Sequence, residues 1–113
     1  MYGAILGDIA GSVYEFDGIT RSVNDLCRQV KRPITTFTDD TVMTIAFADA
    51  IMTIKDSTDV AALKQVVISK MKYWGNKYLN AGYGQQFYLW LLRDDPKPYA
   101  SYANGAAMRI SPV

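Results

Sequence analysis

Apolar residues recur at helical spacing along most of this chain, and no stretch alternates apolar and polar residues convincingly enough for a strand. The densest run, from Val42 to Ile54, is apolar around most of its circumference through Val42, Met43, Ile45, Ala46, Phe47, Ala50, Ile51 and Ile54. A helix apolar on all sides belongs at the centre of a fold. Starting near Asp39 it would be about 21 Å long, enough to cross a small domain. Val60, Leu63, Val67, Met71 and Trp74 then share one stripe, with Lys64, Lys70 and Lys72 on flanking or opposite positions. That pattern predicts an amphipathic helix packed on the central one, its Met and Trp serving the core. Ser57 or Thr58 is the expected cap, and Gly75-Asn76 the expected end.

The flanking segments are less regular. Tyr2 to Phe16 reads as a helix, with Ile5, Ile9 and Val13 as its apolar side and Gly3, Gly7 and Gly11 lining one face. Each glycine costs a helix about 1 kcal/mol relative to alanine, so the stripe predicts close approach of another backbone or a ligand. Asp17 to Pro33 reads as a surface loop with one helical turn around Val23 to Val30. Gln85 to Arg93 reads as a short helix with Phe87, Trp90 and Leu91 turned inward, stopped by Asp94-Asp95-Pro96-Lys97-Pro98. Asn104-Gly105-Ala106-Ala107-Met108-Arg109 predicts a tight turn into a further helix whose N–H groups face a ligand. The expected fold is all-α: four helices and a truncated fifth.

Length and composition narrow the function classes. At 113 residues, half of them hydrophobic, the chain is at most one domain with a real core. Net charge is +1 with scattered Lys and Arg, which gives no electrostatic case for nucleic acid or an acidic membrane surface. Val42 to Ile54 is too short for a bilayer span and carries Asp49. The lone Cys27 excludes an internal disulfide framework and fits a reducing, cytoplasmic setting, and no basic and apolar leader precedes the first motif. With no histidine in the chain, acid–base chemistry falls to carboxylates or bound water.

The candidate chemistry centres on Phe37-Thr38-Asp39-Asp40-Thr41, a hydroxyl and two carboxylates at the mouth of the central helix. Adjacent carboxylates repel and gain when a divalent cation sits between them, and such oxygen donors suit Mg²⁺ or Mn²⁺. Thr38 as an N-cap, with Asp39 and Asp40 favoured by the first turn, explains the same residues, and both roles can hold together. Asp8 and Glu15, seven residues apart, share a helix face that is either a solvated edge or the border of a site. Asp94 and Asp95 read as a solvated turn, and Arg109 could pair with a carboxylate or phosphate.

Three ordered segments carry a resemblance: Gly3-Ala4-Ile5-Leu6-Gly7-Asp8-Ile9-Ala10-Gly11 with Glu15, then Phe37-Thr38-Asp39-Asp40-Thr41, then Asn104-Gly105-Ala106-Ala107-Met108-Arg109 with Pro112. Together with Gly82-Tyr83-Gly84 and Asp94 to Tyr99 they resemble the N-terminal part of the ADP-ribosylglycohydrolase family. The resemblance implies a compact helical bundle and hydrolysis of the bond between the anomeric carbon of ADP-ribose and an acceptor. That acceptor would be an ADP-ribosylated protein side chain or a small ADP-ribose conjugate. It also implies a pair of Mg²⁺ or Mn²⁺ ions, with Thr38, Asp39 and Asp40 as metal ligands. Glu15, Asp39 and Asp40 would form the catalytic set, Glu15 governing substrate access or proton transfer. Asn104, Gly105, Ala106 and Met108 would border the bound ADP-ribose, with Arg109 in a supporting place. The second Asp-x-Asp-Thr segment of the family is not among these residues. The chain is therefore expected to be the N-terminal part of one domain, inactive by itself. The leading expectation is an incomplete metal-dependent hydrolase; the alternatives are a structural or binding remnant, or half of an assembly completed by self-association or a complementary chain.

Overall fold

The computed structural model describes residues 1–15, 22–29, 35–54 and 58–112. In chain order the elements are α1 (Tyr2–Gly11), a 3-10 turn (Ser12–Tyr14), α2 (Val23–Gln29), α3 (Asp39–Thr53), α4 (Val60–Lys77), α5 (Gln85–Leu92) and a 3-10 turn (Asn104–Ala106). Among the described residues there is no strand, as the periodicity predicts. None of their helices is long and apolar enough to cross a membrane.

Helix starts follow local side-chain chemistry. Thr38 caps α3, its Oγ1 accepting from the Asp40 N–H at 3.3 Å. In α2 the pair is reciprocal: Ser22 Oγ accepts from Asp25 N at 3.2 Å, and Asp25 Oδ2 accepts from Ser22 N at 3.3 Å. Asp59, rather than the expected Thr58, caps α4 by accepting from Ala61 N and Ala62 N at 3.0 Å each. A carboxylate directly before Val60 both reaches two orphan N–H groups and meets the positive end of the helix dipole. Ser57, the other expected cap, lies outside the described residues, as does Phe16.

α3 and α4 pack on each other, and α5 closes the core. Val42, Met43, Ala46, Met71, Phe87, Trp90 and Leu91 are buried together, with Val67, Trp74, Tyr83 and Met108 packed around them. α3 is central over its first three turns only. Met43, Ala46 and Ala50 are fully buried, whereas Ile51 and Met52 near its C-terminus are 41% and 84% exposed. Asp49 joins the two long helices, accepting from Trp74 Nε1 at 2.8 Å and pairing with Lys70 Nζ at 2.9 Å.

Two glycine expectations change. α4 continues through Gly75 to Lys77, and Gly75 is buried against α5. A Cβ there would lie 2.4 Å from Cδ2 of Leu91, so the glycine permits close helix approach and does not end the helix. The stripe of Gly3, Gly7 and Gly11 shows the reverse: a Cβ at any of them meets nothing within 4 Å among the described residues. Gly82, with φ of 94°, supplies the left-handed residue of the turn before α5. Asn104 to Ala106 makes one 3-10 turn, not the start of a longer helix.

Candidate functional site

The N-terminus of α3 is tied to α1 through one side chain, Asp8. Its Oδ2 accepts from Thr38 N at 2.8 Å, Thr41 N at 3.2 Å and Thr41 Oγ1 at 2.5 Å. Its Oδ1 accepts from Thr38 Oγ1 at 2.6 Å. The backbone N–H groups are orphans of the first helical turn, so a carboxylate from another helix completes what the Thr38 cap begins. Asp8 is thus no solvated edge. The sequence signal for it was the pair of hydroxyls at Thr38 and Thr41, spaced to flank a single acceptor, but nothing local says which acid supplies it.

Around this tie the acids crowd. Burial pushes the Asp39 carboxyl up to about 6, and the charges of Asp40, Glu15 and Asp8 add to the effect against a backbone N–H bond that lowers it. Asp40 is raised by burial and by Asp8, with Arg109 pulling the other way. Glu15 lies exposed on the turn after α1, yet its carboxyl is also raised, first by what burial it has, then by Asp40 and Asp8. The three predicted catalytic carboxylates therefore share one negative field.

Arg109 faces that field. Its guanidinium lies 4.9 Å from the centre of the Phe87 ring, and Nη1 sits 3.3 Å from where a Cβ on Gly105 would be. Burial lowers its pKa, while Tyr99, Asp39 and Asp40 hold it up. Among the described residues, its Nε and the hydroxyl of Tyr83 are buried without a hydrogen-bond partner. Burial, and then the charge of Asp39, raise the Tyr83 phenol to about 12.

Among the described residues, hollows border the acids on two sides. The larger, about 700 Å³, is lined by Asp39, Phe87, Trp90, Tyr99 and Tyr102 together with Asn104, Gly105, Ala106, Met108 and Arg109. The smaller, about 350 Å³, is lined by Ser12, Glu15, Phe37, Thr38, Tyr78 and Asn80 among others. The predicted site residues are thus brought to two sides of one helix end: the Asn104 to Met108 segment with Asp39, and Glu15 with Thr38. Hydroxyl and carboxylate oxygens of this kind suit Mg²⁺ or Mn²⁺ in their chemistry. Among the described residues, however, no three His, Cys, Asp or Glu side chains are placed to hold an ion.

The family model for ADP-ribosylglycohydrolase matches residues 1–113. The chain belongs to the ADP-ribosylglycohydrolase family. No curated protein and no solved structure matches it. For an ADP-ribosylglycohydrolase the all-α architecture is the expected one, and the family's chemistry is metal-dependent glycoside hydrolysis. Asp8 and Arg109 are the two site residues that sequence reasoning undervalued, since each acts on Thr38, Asp39 or Asp40 from far along the chain.

Proposed function

We propose that this chain supplies one side of a metal-dependent site that releases ADP-ribose from a modified protein side chain or a small ADP-ribose conjugate. The observation that carries the reading is the crowding of Glu15, Asp39 and Asp40 with Asp8 at the α3 N-terminus, where burial and then like charge push the Asp39 carboxyl up to about 6. Like charges are held together at a cost unless a cation joins them. Thr38, Asp39 and Asp40 are the oxygen donors that would hold Mg²⁺ or Mn²⁺. When bound, such an ion polarises a water and the sugar oxygens beside it.

The remaining roles belong to the protein. The aromatic walls of the larger hollow, Phe87, Trp90, Tyr99 and Tyr102, suit a nucleotide base, and Asn104 to Ala106 and Met108 suit the sugar and phosphates. Arg109 holds the position of the two aspartates by charge. Glu15 borders the smaller hollow, where the acceptor would sit, and serves as a lid contact in preference to an essential acid. Its exposure favours this, because a general acid works best where water is excluded.

A second reading has its own support. With no three-acid cluster among the described residues, further ligands must come from elsewhere for a two-ion centre to form. Ile51, Met52, Leu89 and Leu92 are exposed apolar side chains that another segment, a complementary chain or a second copy would cover. Without those ligands the chain would act as a binding or structural element only. Titration with Mn²⁺ and Mg²⁺, followed by assay of ADP-ribose binding and release, separates the readings. The proposal expects metal-dependent ADP-ribose binding that Asp39→Asn with Asp40→Asn abolishes. Binding or release that the double variant leaves unchanged would overturn the roles assigned here.

A further inference from the structure

Thr38 carries a hydroxyl whose bonding is almost fully specified. A hydroxyl has one hydrogen to donate and two lone pairs to accept with. The hydrogen goes to Asp8 Oδ1 at 2.6 Å, and one lone pair takes the Asp40 N–H at 3.3 Å. One lone pair is left. Asp8 Oδ2 is meanwhile occupied by Thr38 N, Thr41 N and Thr41 Oγ1, so the carboxylate cannot rotate without breaking three bonds. A carboxylate has no hydrogen to give, and the direction of the Thr38–Asp8 bond is therefore forced.

We propose that Asp8 is a positioning residue that fixes the Thr38 hydroxyl as a pure oxygen donor toward a divalent cation. This rests on the metal reading of Thr38, Asp39 and Asp40 given above. Without Asp8 the hydroxyl would rotate, and its hydrogen could point where the cation should be. The bond also polarises the Thr38 oxygen, which makes it a better ligand, as outer carboxylates do for metal-bound histidines.

The variant Asp8→Asn tests the direction of that bond. The amide keeps the most bonds by placing its oxygen where Oδ2 accepts three and its NH₂ where Oδ1 accepts one. The NH₂ then donates to Thr38 Oγ1, uses its last lone pair and turns its hydrogen outward. The capping bonds survive while the ligand is reversed. Mn²⁺ affinity, read by electron paramagnetic resonance of free Mn²⁺ with the full chain, should fall about 10–100-fold, the scale for removing an outer-shell partner of a ligand. Lost negative charge alone would give a similar fall, so the same change is made in a Thr38→Val background. There, Asp8→Asn should cost less than about threefold, because no hydroxyl remains to orient. Equal losses in both backgrounds, or no loss in either, would overturn the proposal.

If Asp8→Asn does not fold, Thr41→Val decides. It removes one bond to Oδ2 and leaves the Thr38–Asp8 bond in place, so it should lower the melting temperature and spare Mn²⁺ affinity. An affinity loss as large as that of Thr38→Val would show that Asp8 merely holds the helix end, and the proposal fails. Wild-type chain that takes up no Mn²⁺ at all would refute the metal reading and this inference with it, a result distinct from either variant outcome.

Discussion

The two ends of α3 hold aspartates in opposite circumstances. Near the C-terminus, Asp49 is held below the usual carboxylate range by its bonds to Lys70 and Trp74. At the N-terminus, burial holds Asp39 and Asp40 above it, with the charges of Asp40, Glu15 and Asp8 adding to the effect on Asp39 and that of Asp8 to the effect on Asp40. The helix dipole favours negative charge at the N-terminus and disfavours it near the C-terminus. Local surroundings therefore outweigh the dipole at both ends, burial and like charge at the N-terminus and specific partners near the C-terminus. Asp49 has what it needs within the fold and works as a joint between α3 and α4. Among the described residues, Asp39 and Asp40 have Arg109 as their nearby counter-charge.

The largest expected effect is on metal binding. Replacing Asp39 and Asp40 together by Asn should reduce Mn²⁺ affinity by at least about 100-fold, beyond what loss of an outer-shell group causes. Asp49→Asn, the same change at the other end, should leave it unaltered. A comparable loss from Asp49→Asn, measured by calorimetry, would erase the distinction between the ends.

Stability should respond to pH with opposite sign at the two ends. Asp39 rises from 3.8 to about 6 on folding, so the native state binds the extra proton between those values. Its contribution is most favourable at low pH and is lost as pH climbs from 3.8 to about 6. Asp49 is depressed, so its contribution is present above 3.8 and is lost as pH falls through its lower folded value. Asp39→Asn should therefore stabilise the metal-free protein at pH 7 by about 1–2 kcal/mol, after discounting for partial solvent screening. Urea unfolding at pH 4 and pH 7 checks this, and a variant less stable than wild type at pH 7 would contradict it.

A smaller loss is expected from Trp74→Phe. It deletes the Nε1 donor to Asp49 while keeping an aromatic ring in the core, and should cost about 1 kcal/mol. The Asp49 carboxyl should titrate higher in the variant, visible by NMR, with Asp39 unmoved. The smallest change is expected from Arg109→Met, which removes the cation that lowers Asp40. The Asp40 carboxyl should titrate higher still, and a downward move would mean that Arg109 is not its counter-charge.

Much of the frame was legible because it rests on local periodicity. The first three turns of α3, Val67, Met71 and Trp74 of the α4 stripe and the inward Phe87, Trp90 and Leu91 of α5 fall where their spacing predicts, whereas Ile51 and Val60 stay exposed. The failures are contacts between residues distant in sequence. Gly75-Asn76 looked like a helix end because stop signals are local, whereas Gly75 answers to Leu91 on another helix. Asp8 reaches Thr38 across thirty residues, and no pattern within α1 distinguishes it from a solvated acid. Arg109 stands over Phe87 after a 3-10 turn, at a place where the sequence predicts a continuing helix. The site residues themselves were recognisable as a set only through their ordered motifs. Spacing alone explains Thr38, Asp39 and Asp40 better as a cap than as a metal site.

Thermal unfolding of wild type and of Asp39→Asn/Asp40→Asn, with Mg²⁺ or with K⁺ at matched ionic strength, tests the central claim most directly. A cation that binds only the folded α3 N-terminus stabilises it by about 1.4 kcal/mol at tenfold its dissociation constant. Wild type should melt higher in Mg²⁺ than in K⁺, and the double variant should melt alike in both. Equal Mg²⁺ responses in the two proteins, or none in wild type, would mean that the acidic end of α3 is not a cation site.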